Sequence, residues 1–281
     1  MYELILRSGD SLTAAETNQL KCIWMECFGD SREYLDMFMP GLLPGVEVMT
    51  CTDGDRIVGV VYVFSFAMST GRPAYYFYAG GVPKEYRRQG IFSSLFDYVI
   101  SRDPDALYYL MAHGSLVDWY KNNWFGSVYS CRELALNKQK VPGSDDLTIT
   151  RRTATAKEMY SLRRTHESSL KYDYISYPEW FFNMMKAEKA YCGDVFDIIV
   201  IDDKEYYIIG RYTDEYMIID ETSVPTCILE EKSQELLQLF DCSQIKIKLP
   251  LSDEESDKES HIIYSGQGST CVSLWAPFTL E

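Results

Sequence analysis

Apolar residues at Leu20, Ile23, Trp24 and Cys27 recur at the spacing of a helix face, behind the Ser/Thr start of SLTAAETNQLKCIWMECFG. REYLDMFMPGLLPG predicts a second short helix, stopped by Pro40 and Gly41. The pattern then changes. VEVMTCTDGDRIVGVVYVFSFAMSTGRPAYYFYAGGV alternates or runs apolar, with turn residues at Asp53–Gly54 and from Ser69 to Pro73. That predicts a meander of three strands. QGIFSSLFDYVIS returns to helical spacing at Ile91, Leu95, Phe96 and Val99. ALYYLMAHG reads as a short buried strand, LVDWYKNNWF as a helix and VYSCRELAL as a strand.

The polar, Pro-Gly-bearing stretch Asn137–Asp146 reads as a linker, centred on residues 139–146. It divides residues 1–138 from 147–281. The second part repeats the order in outline. TITRRTATAKEMYSLRRTHESSL gives a strand and a helix. DVFDIIVIDDKEYYIIGRYTDEYMIIDETSV gives three strands with an Asp-Asp-Lys turn. EEKSQELLQLF is a helix, QIKIKLPL a strand, SDEESDKESH an acidic loop and CVSLWAPFTLE a closing strand. Trp275 and Phe278 in that last segment read as core or docking residues.

At 281 residues, 46% hydrophobic and 25% charged, the composition is that of a two-domain globular chain. The start lacks a basic segment followed by an apolar core, and no apolar run reaches the roughly 18 residues of a membrane span. Eight cysteines occur without a CxxC pair, which predicts reduced thiols, a cytoplasmic setting and no structural zinc. The net charge is −15 and uneven. Residues 1–140 hold 13 basic and 16 acidic side chains, whereas residues 141–281 hold 14 and 26. A general nucleic-acid binder needs a basic footprint, so this balance argues against one. It suits a cationic small-molecule partner.

The chemistry concentrates in GGVPKEYRRQGIFSSL, Gly80–Leu95. Two glycines at a strand end can bend it or make a bulge, freeing backbone groups for an extended ligand. Val82 would offer its amide, since Pro83 has none. A helix start at Gly90 carries outward amides and partial positive charge, and glycine lets a ligand approach closely. Arg87 and Arg88 add full charges. Together these parts suit a pyrophosphate joined to an extended arm.

Residues 1–136 resemble a GNAT-superfamily N-acetyltransferase. The family's Arg/Gln-x-x-Gly-x-Gly/Ala loop falls on Arg87, Arg88, Gln89, Gly90, Ile91 and Phe92, and its V-x-P-x-Y-R lead-in on Val82, Pro83, Tyr86 and Arg87. Phe92 departs from the usual small residue. WYKNNWF, Trp119–Phe125, resembles the family's Y-E-K-L-G-F segment, with Trp124 in place of glycine. The resemblance implies an α+β (mixed α/β) fold. It implies two GNAT-like domains, each a mixed, mostly antiparallel sheet with a central splayed strand pair and flanking helices.

The resemblance also implies acetyl-CoA as cosubstrate and direct attack by an amine, with Gly81, Val82 and residues 87–92 holding the donor. Tyr120 would be the general acid for the departing thiolate. The general base stays open among Glu26, Glu33, Asp36, Tyr78 and the carboxylate of Glu281. His113, at a strand end, reads as structural before functional. Residues 147–281 lack the arginine pair and the glycine; Glu230 and Glu231 would sit near a helix start and repel a pyrophosphate. That half is read as a degenerate GNAT-like domain. The alternative is a CoA-binding or regulatory relative without catalysis. A third reading, transfer to aminoacyl-tRNA or a peptidoglycan precursor, meets the lack of a basic surface on its tRNA side.

Overall fold

The computed structural model describes residues 2–112, 114–138, 149–170, 173–250, 259–264 and 274–275. It opens with a strand that the sequence reading missed, β1 (Glu3–Ser8), antiparallel to β2 (Val46–Asp53). Between them lie α1 (Ala14–Phe28) and α2 (Arg32–Leu42). Thr13 and Glu16 form a reciprocal capping box at the start of α1. The Thr13 amide and hydroxyl, with Arg7, hold the Glu16 carboxyl down at about 2. Pro40 does not stop α2, as the sequence suggested. It stands in the last turn, where its missing N–H costs one bond, and the Leu43 N–H still closes on the Met39 carbonyl.

β2, β3 (Arg56–Met68) and β4 (Pro73–Gly81) form the expected meander. α3 (Ile91–Ser101) crosses to β5 (Leu107–Met111), which runs parallel to β4. α4 (Val117–Asn123) follows, and then β6 (Ser127–Asn137), which is not the strand beside β5. β6 pairs instead with β12 (Gln244–Pro250), antiparallel from Asn137↔Gln244 to Cys131↔Pro250. The place beside β5 is taken by β13 (Glu259–Tyr264), through Met111↔Ile262 to Tyr109↔Tyr264.

Two compact units result. The first runs to Val128 and takes in β13 from His261; the second runs from Tyr129 to Ser260. This division differs from one at residues 139–146, which lie outside the described residues. Leu134 and Leu136 of β6 pack in the core of the second unit. Alternating apolar residues predict a strand, but not which sheet it joins.

The second unit holds β7 (Thr150–Thr153), α5 (Ala156–Glu167), β8 (Asp173–Ser176), α6 (Glu179–Cys192), β9 (Val195–Ile201), β10 (Lys204–Tyr212), β11 (Met217–Thr222), α7 (Thr226–Glu231) and α8 (Ser233–Leu239). β14 (Leu274–Trp275) pairs with β8; the rest of the expected closing strand, including Phe278, lies outside the described residues. Asp202 and Asp203, both at positive φ, make the predicted tight turn. β8 and α6 went unread in the sequence; α6 buries Phe181, Phe182, Met184 and Met185. Glu230 and Glu231 lie at the end of α7 and just before α8, whose N-cap is Lys232; Pro225 begins a helix earlier than the charge pattern suggested. The strand order is β1-β2-β3-β4-β5-β13 in the first unit and β7-β9-β10-β11-β12-β6 in the second. In each, the fourth and fifth strands are parallel and the other pairs antiparallel. This is the mixed α/β, two-sheet class expected from sequence.

One buried polar cluster ties α5 to the second sheet. Arg163 is 1% exposed and donates from Nε to Glu221 Oε1 at 3.0 Å, and from Nη1 to Glu167 and to the Ile175 carbonyl. Tyr207 donates its hydroxyl to the same Glu221 oxygen. His166 stands edge-on to Tyr207, ring centroids 5.9 Å apart. Burial, and then the charge of Arg163, pull the His166 imidazole down to about 4. A lowered folded-state pKa means that the unfolded chain takes up the proton first. The stabilising effect is complete above the ordinary value of about 6.5 and is lost as pH falls towards 4. His166→Gln is therefore expected to flatten urea stability between these limits, removing a slope worth up to about 3 kcal/mol. An unchanged slope would contradict this.

Candidate functional site

The end of β4 departs from regular pairing. Tyr62 faces Tyr78, but Val60 faces Gly81, so β4 carries one extra residue. Ala79 absorbs it at φ 46, a left-handed conformation rare for a residue with a Cβ. Pairing with β5 is confined to Ala74–Tyr76 against Leu107–Tyr109, and the two strands then part. The two glycines serve close approach. A Cβ at Gly81 would lie 3.1 Å from Cys27 Sγ, and one at Gly80 would lie 2.9 Å from the Phe92 ring. Gly80 therefore makes the room that the bulky Phe92 requires.

The loop that follows is braced by its own side chains. The Lys84 amide donates to Glu26 Oε1 at 2.7 Å, which gives Glu26 a structural task. Arg87 Nε donates to the Val82 carbonyl at 2.9 Å, and its Nη2 lies 3.8 Å from Cys27 Sγ. Burial raises the Cys27 thiol pKa, partly opposed by Arg87. Arg88 is exposed and held at φ 63. Gln89 turns away, accepting from the Tyr2 hydroxyl at 2.6 Å and donating to the Glu85 carbonyl.

Gly90, at φ 77 and ψ 0, is the N-cap of α3 and supplies no side chain to its first amides. Among α1, α2, α3, α5 and α6, only α3 has neither a capping side chain nor an acidic residue in its first turn. The amides of Ile91, Phe92 and Ser93 lack intrahelical partners by geometry, and they collect at the positive end of the helix.

A cleft of about 360 Å³ opens here. Of the residues expected from sequence, Gly81, Val82, Arg87, Arg88, Gly90, Ile91 and Phe92 line it; Gln89 and Tyr120 do not. Cys27, Phe28, Gly80, Tyr86, Ser93 and Trp119 complete the walls. Phe28 was not singled out in the sequence and Cys27 only as part of a helix face, because nothing in a helix pattern says which residue faces a loop 55 positions away.

Tyr120 is 9% exposed and packs among Phe92, Phe96, Trp119, Trp124 and Phe125. Burial pushes its phenol up to about 12. Trp124 closes α4 and donates Nε1 to Asp97 at 2.7 Å. Of the candidate bases, Asp36 is paired with Lys21 at 2.6 Å and with Arg32 at 3.1 Å, Glu33 is exposed, and Tyr78 is buried against Trp24 and Phe38. His113 and Glu281 lie outside the described residues. Among the described residues no helix is long and apolar enough to cross a membrane, and no group of three or more His, Cys, Asp or Glu could hold a metal ion.

Residues 10–123 match the family model of the acetyltransferase (GNAT) domain. The matched segment falls within the first unit, which is to that extent similar to a GNAT acetyltransferase domain. No curated protein matches the sequence. Its fold is similar to a GCN5-related N-acetyltransferase from Kribbella flavida, at 14% identity and a TM-score of 0.64, covering 94% of this chain and 70% of that one. A GCN5-related N-acetyltransferase from Anabaena variabilis gives 12% identity, a TM-score of 0.66, and coverage of 93% and 72%. A tandem GNAT protein from the clavulanic acid biosynthesis pathway gives 11%, 0.53, and coverage of 96% and 100%.

Proposed function

We propose that the first unit is an acetyl-CoA-dependent N-acetyltransferase that moves an acetyl group to a small, cationic amine by direct attack. The carrying observation is the uncapped start of α3 at the cleft, in a domain that matches the acetyltransferase family. The pyrophosphate would rest on the amides after Gly90, with Arg88 alongside. The arm would run along β4 beyond its pairing with β5. A deprotonated amine attacks the thioester carbon, the tetrahedral intermediate collapses, and Tyr120 donates a hydrogen bond to the departing thiolate. The second unit is read as GNAT-like without a donor cradle, since Val224–Pro225 leads straight into α7 with no glycine or arginine pair. Its acidity supports a cationic acceptor, and this reading includes a cytoplasmic setting and neither nucleic acid nor membrane. The alternative, a CoA-binding protein without turnover, draws on the position of Tyr120 outside the cleft.

Isothermal titration with acetyl-CoA tests the reading. Wild-type protein is expected to bind in the micromolar range. Gly90→Glu places a carboxylate at the helix start and strains a residue at φ 77, and is expected to abolish binding. A wild type that binds no acetyl-CoA would sink the proposal.

A further inference from the structure

The cleft stops short of the tyrosine that the chemistry needs. Its volume, about 360 Å³, is at the small end of ligand cavities, which span roughly 300–1,000 Å³. That space suits the phosphate-bearing part of a donor and leaves little for a long arm. Gly80, Phe92 and Trp119 are among its walls. Tyr120 is not, although its ring centroid lies 6.3 Å from that of Phe92 and 5.0 Å from that of Trp119. These two aromatic residues therefore border both the open cleft and Tyr120.

The Phe92 ring lies over Gly80, in the part of β4 that β5 does not pair. Its Cε2 and Cζ lie 2.9 and 3.0 Å from where a Cβ at Gly80 would stand, so it rests on the Gly80 backbone. Beyond Tyr76, β4 has left β5, and its backbone there is the natural edge for an extended ligand. The ring itself is half-buried. It stacks on Phe96 at 4.7 Å and meets Trp119 at 5.9 Å, contacts that a rotated ring can exchange for others.

We propose that Phe92 is a positioning residue whose ring occupies the path of the donor's extended arm over Gly80 and is displaced when the arm enters. This rests on the acetyl-CoA reading. The phosphate half of the donor binds without moving the ring, whereas the arm must displace it, so affinity for the complete donor is reduced by the fraction of molecules with the ring in place. Removing the ring would pre-open the path.

The test compares coenzyme A with 3′-phosphoadenosine 5′-diphosphate, which keeps the phosphates and lacks the arm. Both are titrated into wild-type protein, Phe92→Ala and Phe92→Leu. Phe92→Ala is expected to tighten coenzyme A about tenfold while changing the arm-less nucleotide less than about twofold. Phe92→Leu, which keeps an apolar side chain over Gly80, is expected to fall between. If the nucleotide binds but both variants leave coenzyme A unchanged or weaken both ligands alike, the ring is not in the arm's path and the acetyl-CoA reading stands. If neither ligand binds any of the three proteins, the acetyl-CoA reading fails and this inference falls with it.

Discussion

Arg163→Met is expected to destabilise the second unit by about 3–5 kcal/mol, the usual cost of removing one member of a buried ion pair. The guanidinium is the only cation within bonding reach of Glu221 among the described residues, and it also holds Glu167. Glu221 is 0% exposed, and its second oxygen has no hydrogen-bond partner among those residues. Methionine fills much of the volume but leaves two buried carboxylates, one of them still facing Arg164. Burial already raises the Glu221 pKa, and losing Arg163 removes the main influence opposing it. A carboxyl with a raised folded-state pKa is relatively favourable below the unfolded value and is penalised as pH rises through the folded one. The deficit of Arg163→Met should therefore shrink as pH is lowered towards the ordinary glutamate value of 4.5. Arg163→Met/Glu167→Gln/Glu221→Leu should recover a large part of the loss at neutral pH. Amide exchange in α5 and β11 gives the readout. A single variant as protected as wild type would show that the cluster is not holding these elements together.

How much of this was legible in the sequence depended on the range of the interaction. The capping box at Thr13, the Asp202–Asp203 turn and the glycine start of α3 are local, and a few adjacent residues specify them. Long-range choices left weaker traces. The pattern of β6 is as good a strand for one sheet as for the other, so its pairing with β12 could not be read from it. Phe92 departs from the family's small residue in the sequence, and only the structure shows Gly80 beneath its ring. Sequence spacing brings Gly80 to the cleft as part of a glycine pair, but does not say which glycine meets the ring. Glu26 was a candidate base by its position in α1; its bond to the Lys84 amide, 58 residues away, shows a carboxylate used to hold the loop.

Among substitutions that leave donor binding intact, Tyr120→Phe has the largest expected effect on turnover. It removes one hydroxyl and keeps the ring that packs against Phe92, Phe96 and Trp124. Acetyl-CoA affinity should therefore stay within about twofold, while kcat falls by about 10²–10³, the range for loss of one preorganised donor. The pKa of the phenol decides how it acts. At about 12 it is well above a free thiol, near 8.5, so complete proton transfer to a thiolate is uphill. The hydroxyl stabilises the leaving sulfur as a hydrogen-bond donor, and solvent completes the protonation. Because burial keeps the phenol neutral, wild-type kcat should show no alkaline loss from Tyr120 below about pH 11. The measurement is thiol release across a panel of primary amines, with acetyl-CoA binding followed in parallel. Loss of kcat with binding retained fits the donor role. A variant as fast as wild type would remove Tyr120 from the chemistry. A wild type that binds acetyl-CoA yet acetylates no amine would favour the reading without turnover.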